Sequence, residues 1–269
     1  MVSFPNCKIN LGLHIVRKRE DGFHDLETVF YPIPMCDALE IITTEEKETT
    51  IHNTGIAIDN ASDNICLKAY NLLKKDFALP TVTIHLHKAI PVGAGLGGGS
   101  ADGAFTLLLL NKKFNLNLSE EILIKYALQL GSDCPFFIKN VPSFATQRGE
   151  VLTPINLDLS AYKMVVIHPA IHINTGWAFS KITPHSNRQS VSDIIEKPLE
   201  NWRGILVNDF EEAIFEQYPS IRKLKESLYE QGALYASMSG TGSSVYGIFE
   251  KKSTPQISIE ENYFIHWLS

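Results

Sequence analysis

The stretch Pro91–Phe105, PVGAGLGGGSADGAF, holds six glycines in fifteen residues. Missing side chains let an anion approach backbone N–H groups closely. The stretch runs into a segment from Ser100 rich in Ala, Phe and Leu that reads as a helix. A helix start offers free N–H donors and the positive end of the dipole. The chemistry this permits is the holding of a phosphate. A tightly packed turn would also use glycine, but three in succession, Gly97 to Gly99, cost backbone entropy on ordering.

The glycines also spell G-x-G-x-x-G at Gly93, Gly95 and Gly98. A dinucleotide fold needs a strand running straight into them and an acid about 20 residues on. Glu120 and Glu121 stand near that spacing but open a helix, and Lys88 to Pro91 separate the preceding strand from the glycines. A P-loop would end in Gly-Lys-Ser/Thr, which is absent. For a protein kinase, Ser100 stands where Val is expected, and H-R-D and D-F-G are missing.

The elements that position this loop follow from periodicity. CKINLGLHIV, LETVFYPI and ALEIITTE read as strands, with a turn at Asp21-Gly22. Asn64 to Phe77 reads as a helix. Thr81 to His87 alternates, with Val82, Ile84 and Leu86 on one side and Thr83, His85 and His87 on the other. Ser100 to Asn111 and Ser119 to Leu130 are helices, the second with Ser119 as cap, acids in its first turn and Gly131 as stop. Two strands are expected over 145–170, MVVIHP the clearer. Helices are expected over 203–217 and 219–231, then two strands around the glycines of ALYASMSGTGSSVYGIFE. Strands first, then a helix, a strand, a glycine loop and two helices make an α+β order rather than repeated βαβ units. A boundary near residue 150 is expected, giving domains 1–150 and 151–269.

With 269 residues, 44% of them apolar, the chain can bury a large core or two smaller ones. The net charge of −6 argues against a general nucleic-acid binder. Apolar runs are too short to span a bilayer. Cys7, Cys36, Cys66 and Cys134 form no C-x-x-C pair, so reduced thiols in a cytoplasm are expected. His85 and His87 lie on one strand face, but no third ligand stands nearby, and no structural metal is expected.

PVGAGLGGGSAD resembles the phosphate loop of the GHMP superfamily, which includes galactokinase, homoserine kinase and mevalonate kinase. CKINLGLHIVRKREDGFHDLETVF and GSDCPFF resemble motifs of its 4-diphosphocytidyl-2-C-methyl-D-erythritol kinase family. RGE at Arg148–Glu150, NDFE at Asn208–Glu211 and MSGTGSSVYGIF fall in the same order. The resemblance runs from Lys8 to Phe249. It implies a two-domain GHMP-kinase fold, with ATP and substrate in the cleft between domains. It also implies transfer of phosphate from ATP, with Mg2+, to the 2-hydroxyl of 4-diphosphocytidyl-2-C-methyl-D-erythritol. A monomer or weak homodimer, with neither nucleic acid nor membrane as partner, is expected.

Carried over residue by residue, the resemblance makes Asp133 the base that takes the proton of the attacking hydroxyl and Lys8 the cation that orients both. The residues alone leave Asp133 equally readable as a helix cap before Cys134-Pro135. Asn10 lies on the strand face of Lys8. His24 matches the residue that recognises cytosine, and Phe23 and Phe179 the aromatic walls beside it. Phe23 stands where Tyr is usual, so a hydroxyl contact is lost. Thr175 matches a further substrate position. Pro91, Gly93, Ala94, Gly95, Leu96, Gly97, Gly98, Gly99, Ser100 and Ala101 match the ATP phosphate cradle, and Asn64 and Lys88 the nucleotide-base side. Ala101 replaces a second Ser, which removes one hydroxyl. Asp102 reads either as a water-mediated neighbour of magnesium or as a first-turn carboxylate complementing the helix dipole. Gly240 and Gly242 are expected to shape the site from the second domain. Two alternatives stay open: a homoserine or mevalonate type of kinase, and a non-catalytic nucleotide-binding protein on the same scaffold.

Overall fold

A computed structural model describes residues 1–58 and 64–268. In chain order its strands are β1 (Val2–Ser3), β2 (Asn6–Lys18), β3 (His24–Cys36), β4 (Ala38–Thr43), β5 (Thr50–Gly55), β6 (Val82–Lys88), β7 (Ser143–Gln147), β8 (Val151–Pro154), β9 (Tyr162–His168), β10 (Tyr235–Met238), β11 (Val245–Glu250) and β12 (Phe264–Leu268). The α-helices are α1 (Ile65–Lys74), α2 (Gly98–Lys113), α3 (Glu120–Leu130), α4 (Cys134–Lys139), α5 (Thr175–Ser180), α6 (Val191–Ile195), α7 (Phe210–Gln217) and α8 (Pro219–Glu230).

Two compact units divide the chain. The first comprises residues 1–8, 34–92 and 97–141; the second comprises 9–33, 93–96 and 142–269. A single cut near residue 150 treats the halves as consecutive, whereas these units interleave. The cause is long-range pairing: β3 joins β7 antiparallel, with Thr28 opposite Ala145, so the early strands travel with the later chain.

The first unit builds one sheet in the order β1-β4-β6-β5, antiparallel except for the parallel β5–β6 pair. In β6, Val82, Ile84 and Leu86 are buried while His85 and His87 are exposed, as the alternation requires. Helices α1, α2, α3 and α4 pack on one another in this unit. The cap expected at Ser119 is present, its hydroxyl accepting from Ile122 N–H, and Gly131 ends α3. Asn64 caps α1 by accepting from Cys66 N–H. The expected helices end within a few residues of α1, α2 and α3.

The second unit holds the β2-β3-β7-β8 sheet and a β10-β11-β9-β12 sheet. A core of Leu13, Ile15, Val165, Ile167, Phe210, Ile214, Leu224, Leu228 and Phe249 fills it. The helix expected over 203–217 begins only at Phe210. Residues 207–209 are tied to β2: Leu13 N–H donates to Val207 O at 2.9 Å and Asp209 N–H donates to Leu13 O at 2.9 Å. Those two bonds take backbone groups that a helix would have used.

Candidate active site

In the first unit, Lys8 lies on a strand buried on both faces: Cys7, Lys8, Ile9, Asn10 and Leu11 are all at most 3% exposed. A buried ammonium needs a compensating partner. Its Nζ is 3.4 Å from Asp133 Oδ2. Asp133 occupies the turn between α3 and α4, at the place of a helix cap. Yet its side chain makes no capping hydrogen bond. Asp133 is thus turned to the lysine, with its side chain 35% exposed.

The start of α2 adjoins this pair. Gly97 takes φ +70°, and a Cβ there would lie 3.1 Å from both Lys8 Cε and Phe137 Cζ. Only glycine lets the lysine stem pass so close in this conformation. Ala101 N–H donates to Gly97 O, the first helical bond, so the N–H groups of Gly98, Gly99 and Ser100 precede it. Nothing stands within 4 Å of a Cβ at Gly99. Ser100 hydrogen-bonds the Cys134 thiol, which burial pushes up to about 12. That inert thiol joins the helix start to α4. Ala101 is fully buried, as Leu96 and Ala94 nearly are, so these residues offer backbone only. Pro91 is buried as well. The buried Ala101 methyl shows why a second hydroxyl would be costly here: it would need an interior partner.

Lys88 and Asp102 are placed otherwise than a solvent-facing ligand. Lys88 is the fourth inward residue of β6, and its ammonium pairs with Asp37 and, at 2.7 Å, with Asp102 Oδ2. Asp102 is 2% exposed. The Asn64 carboxamide oxygen is used in capping α1.

In the second unit, Asn10 is tied in place. Its Nδ2 donates to Thr28 Oγ1 at 3.0 Å, its N–H donates to Ser239 Oγ at 3.2 Å, and Tyr246 O–H donates to its carbonyl at 2.7 Å. Ser239 O–H donates to Gly95 O at 2.8 Å. The turn at Ser239–Gly242 thereby holds the Gly93–Leu96 segment, and Ser244 N–H donates to Ala94 O. Asn208, the first residue of NDFE, donates through Nδ2 to Met238 O and Gly240 O. Glu211, the last, accepts from Met238 N–H and Ser237 O–H and pairs with Lys225. This motif therefore shapes the second glycine turn. At Gly95 (φ +77°) a Cβ would lie 2.1 Å from Ser239 O, a backbone atom. Gly95→Ala is expected to destabilise the chain by about 1–3 kcal/mol through overpacking, measured by urea unfolding.

His24 and Phe179 come together in this unit, with ring centroids 5.1 Å apart and planes at 25°. Phe179 in turn meets Phe210 edge-on. Phe23 is 53% exposed, with the Arg148 guanidinium 4.7 Å above its ring. Arg148 comes from RGE, at the β7–β8 turn. Partial burial and the Lys18 ammonium hold the His24 imidazole below its ordinary pKa. A neutral ring offers one donor and one acceptor. Thr175 Oγ1 lies 3.3 Å from Thr241 Oγ1, beside the same glycine turn.

Each unit thus carries one set of the expected residues: Lys8, Gly97–Ser100 and Asp133 in the first, Asn10, His24, Gly93–Leu96, Thr175 and Phe179 in the second. The family description GHMP kinases N terminal domain matches residues 64–140, and GHMP kinases C terminal matches 188–261. The chain belongs to the GHMP kinases. It is a kinase of the type that transfers phosphate from ATP. The 4-diphosphocytidyl-2-C-methyl-D-erythritol kinase of Azobacteroides pseudotrichonymphae is 54% identical over 257 residues, covering 95% of this GHMP kinase and 96% of the relative. The same-named protein of Bacteroides thetaiotaomicron is 52% identical, covering 98% of each. A crystal structure of 4-(cytidine 5′-diphospho)-2C-methyl-D-erythritol kinase is similar at a TM-score of 0.78 and 30% identity, covering 92% of this chain and 90% of that one. The mevalonate kinase of Methanococcus jannaschii, at 14% identity and a TM-score of 0.70, shares the fold.

Asp37 is the site neighbour that sequence reasoning missed. The signal was present in β6: alternation that puts Val82, Ile84 and Leu86 inward must also put Lys88 inward, where it needs an acid. No described helix is long and apolar enough to cross a membrane.

Proposed function

We propose that this GHMP kinase phosphorylates the 2-hydroxyl of 4-diphosphocytidyl-2-C-methyl-D-erythritol, giving the 2-phosphate and ADP. The observation that carries the reading is the Lys8–Asp133 pair packed against Gly97 at the start of α2. A base, a cation and free helix N–H groups are the parts that phosphoryl transfer asks of a protein. The relatives named above support the choice of alcohol.

In this mechanism the N–H groups at Gly98, Gly99 and Ser100 receive phosphate oxygens of ATP. Magnesium bound to the nucleotide would neutralise charge on its phosphates. Asp133 accepts the proton of the 2-hydroxyl as that oxygen attacks the γ-phosphorus and the bond from the γ-phosphorus to the bridging oxygen breaks, ADP leaving with the electron pair. Lys8 holds Asp133 in place and offsets the negative charge that builds up during transfer. Its burial makes this effect large, because a low-dielectric surrounding screens it little. Neutral His24 pairs donor and acceptor with the polar edge of cytosine, and Phe179 stacks on the base. The reading places the enzyme in the cytoplasm, where its four free thiols stay reduced.

The test gives the purified chain ATP, magnesium and a panel of alcohols and follows ADP release. Turnover of the cytidylyl compound, and not of homoserine or mevalonate, is the expected result. Turnover of either small alcohol without the cytidylyl compound overturns the substrate. Phe179→Ala is expected to raise KM for the cytidylyl compound about ten- to hundredfold, the scale of one lost base–aromatic stack, with ATP KM unchanged.

A further inference from the structure

Away from Lys8 and Asp133, three buried side chains tie together the places where the glycine loop leaves β6 and where it becomes α2. Asp37 Oδ1 accepts from Ala89 N–H at 2.7 Å and from Ile90 N–H at 2.9 Å, gripping the chain just past β6. Its Oδ2 accepts from the Lys88 ammonium, which also donates to Asp102 Oδ2 at 2.7 Å in the first turns of α2. The three side chains are at most 3% exposed. The helix start rests on them: a Cβ at Gly98 would lie 2.8 Å from Ile90 Cγ2 and 3.4 Å from Lys88 Nζ.

Gly97, Gly98 and Gly99 have wide conformational freedom, so N–H groups aimed at a phosphate need something else to hold them. At Gly99 nothing stands within 4 Å of where a Cβ would lie, so no side chain packs there. We propose that Asp37, Lys88 and Asp102 are positioning residues for ATP, a buried clamp that fixes the Gly98–Ser100 N–H groups in their phosphate-receiving direction. This rests on the kinase reading and deepens it. It also replaces direct contact by Lys88 with an indirect role, because the ammonium is already spent on two carboxylates.

The clamp has a charge signature. Two carboxylates share one ammonium, and Asp102 Oδ1 is buried without a hydrogen-bond partner. Burial, aided by the nearby Asp37 and opposed by Lys88, pushes the Asp102 carboxyl up to about 7. Among the described residues, the Cys66 thiol also faces Asp102; burial pushes it up to about 12 and keeps it neutral. Near neutral pH, deprotonation of Asp102 therefore adds one negative charge behind the phosphate site and opposes nucleotide binding.

The test measures ADP affinity by calorimetry from pH 6 to 8 for the full chain, Asp37→Asn and Asp102→Asn, with thermal melting as a check on folding. Because it reads binding, it stands apart from the choice of alcohol. The terminal phosphate of ADP ionises in the same range, so the readout is the ratio of affinities: wild type is expected to weaken relative to Asp102→Asn, which cannot gain that charge, as pH rises. Asp37→Asn, which retains its oxygen for the backbone but sets an amide against Lys88, is expected to lose at least about tenfold in ADP affinity, a loss typical of a displaced charge-assisted bond. Coincident pH profiles for wild type and Asp102→Asn overturn the clamp, as does a folded Asp37→Asn with unchanged affinity. Should Asp37→Asn not fold, the Asp102→Asn profile alone decides. A wild type that binds no ADP overturns the kinase reading itself, whereas one that binds ADP but ignores the cytidylyl compound overturns only the substrate.

Discussion

Asp133→Asn will lower kcat by about 10²–10⁴, the contribution of a positioned general base. ATP KM should hardly change, because the N–H groups of Gly98, Gly99 and Ser100 do not depend on this carboxylate. The reason to expect a catalytic rather than a structural loss lies in the local geometry. Asp133 sits where a helix cap would sit but donates no stability as a cap, and its side chain is 35% exposed. Asparagine keeps the shape and still faces Lys8, but it removes the carboxylate charge beside a buried ammonium, so the stability cost should lie between the about 1 kcal/mol of an exposed pair and the about 3 kcal/mol of a buried one. A rate within about threefold of wild type would remove Asp133 as the base, since a base that contributes so little is not acting as one.

The second large effect is at Lys8. Lys8→Met should cost about 10²–10³ in kcat, as removal of one preorganised electrostatic donor does elsewhere. Methionine can keep the apolar packing that the lysine stem makes near Gly97 and Phe137. The carboxylate left behind on Asp133 is 35% exposed and can be hydrated, which avoids the penalty of a charge left buried and unpaired. Urea unfolding should therefore show Lys8→Met within about 1 kcal/mol of wild type, with activity and stability moving separately. Loss of both together would make Lys8 a packing residue.

The first glycine loop was legible because its chemistry is local. Consecutive glycines before an apolar helix suffice to place free N–H groups at a helix start, and α2 begins at Gly98. Ser119 and Gly131 likewise marked the ends of α3 through short-range hydrogen bonding. Long-range pairing was not legible. Thr28 meets Ala145 across the β3–β7 register, and nothing near either residue in sequence announces it. That pairing is what interleaves the two units. Residues 203–209 look helical by composition, yet tertiary hydrogen bonds to Leu13 tie 207–209 to β2. Only the family resemblance linked His24 to Phe179, and nothing near Phe23 in sequence announces its contact with Arg148. At Lys88 the alternation held all the needed information, but its consequence, an inward ammonium requiring Asp37 and Asp102, becomes plain only in three dimensions.

The most direct test is phosphorus-31 NMR of the product formed from 4-diphosphocytidyl-2-C-methyl-D-erythritol and ATP, with wild type and Asp133→Asn side by side. The expected result is one new phosphate monoester on the tertiary 2-hydroxyl with wild type, the diphosphate untouched, and almost none with the variant. A monoester formed equally by both, or ATP consumed with phosphate passing only to water, would contradict it.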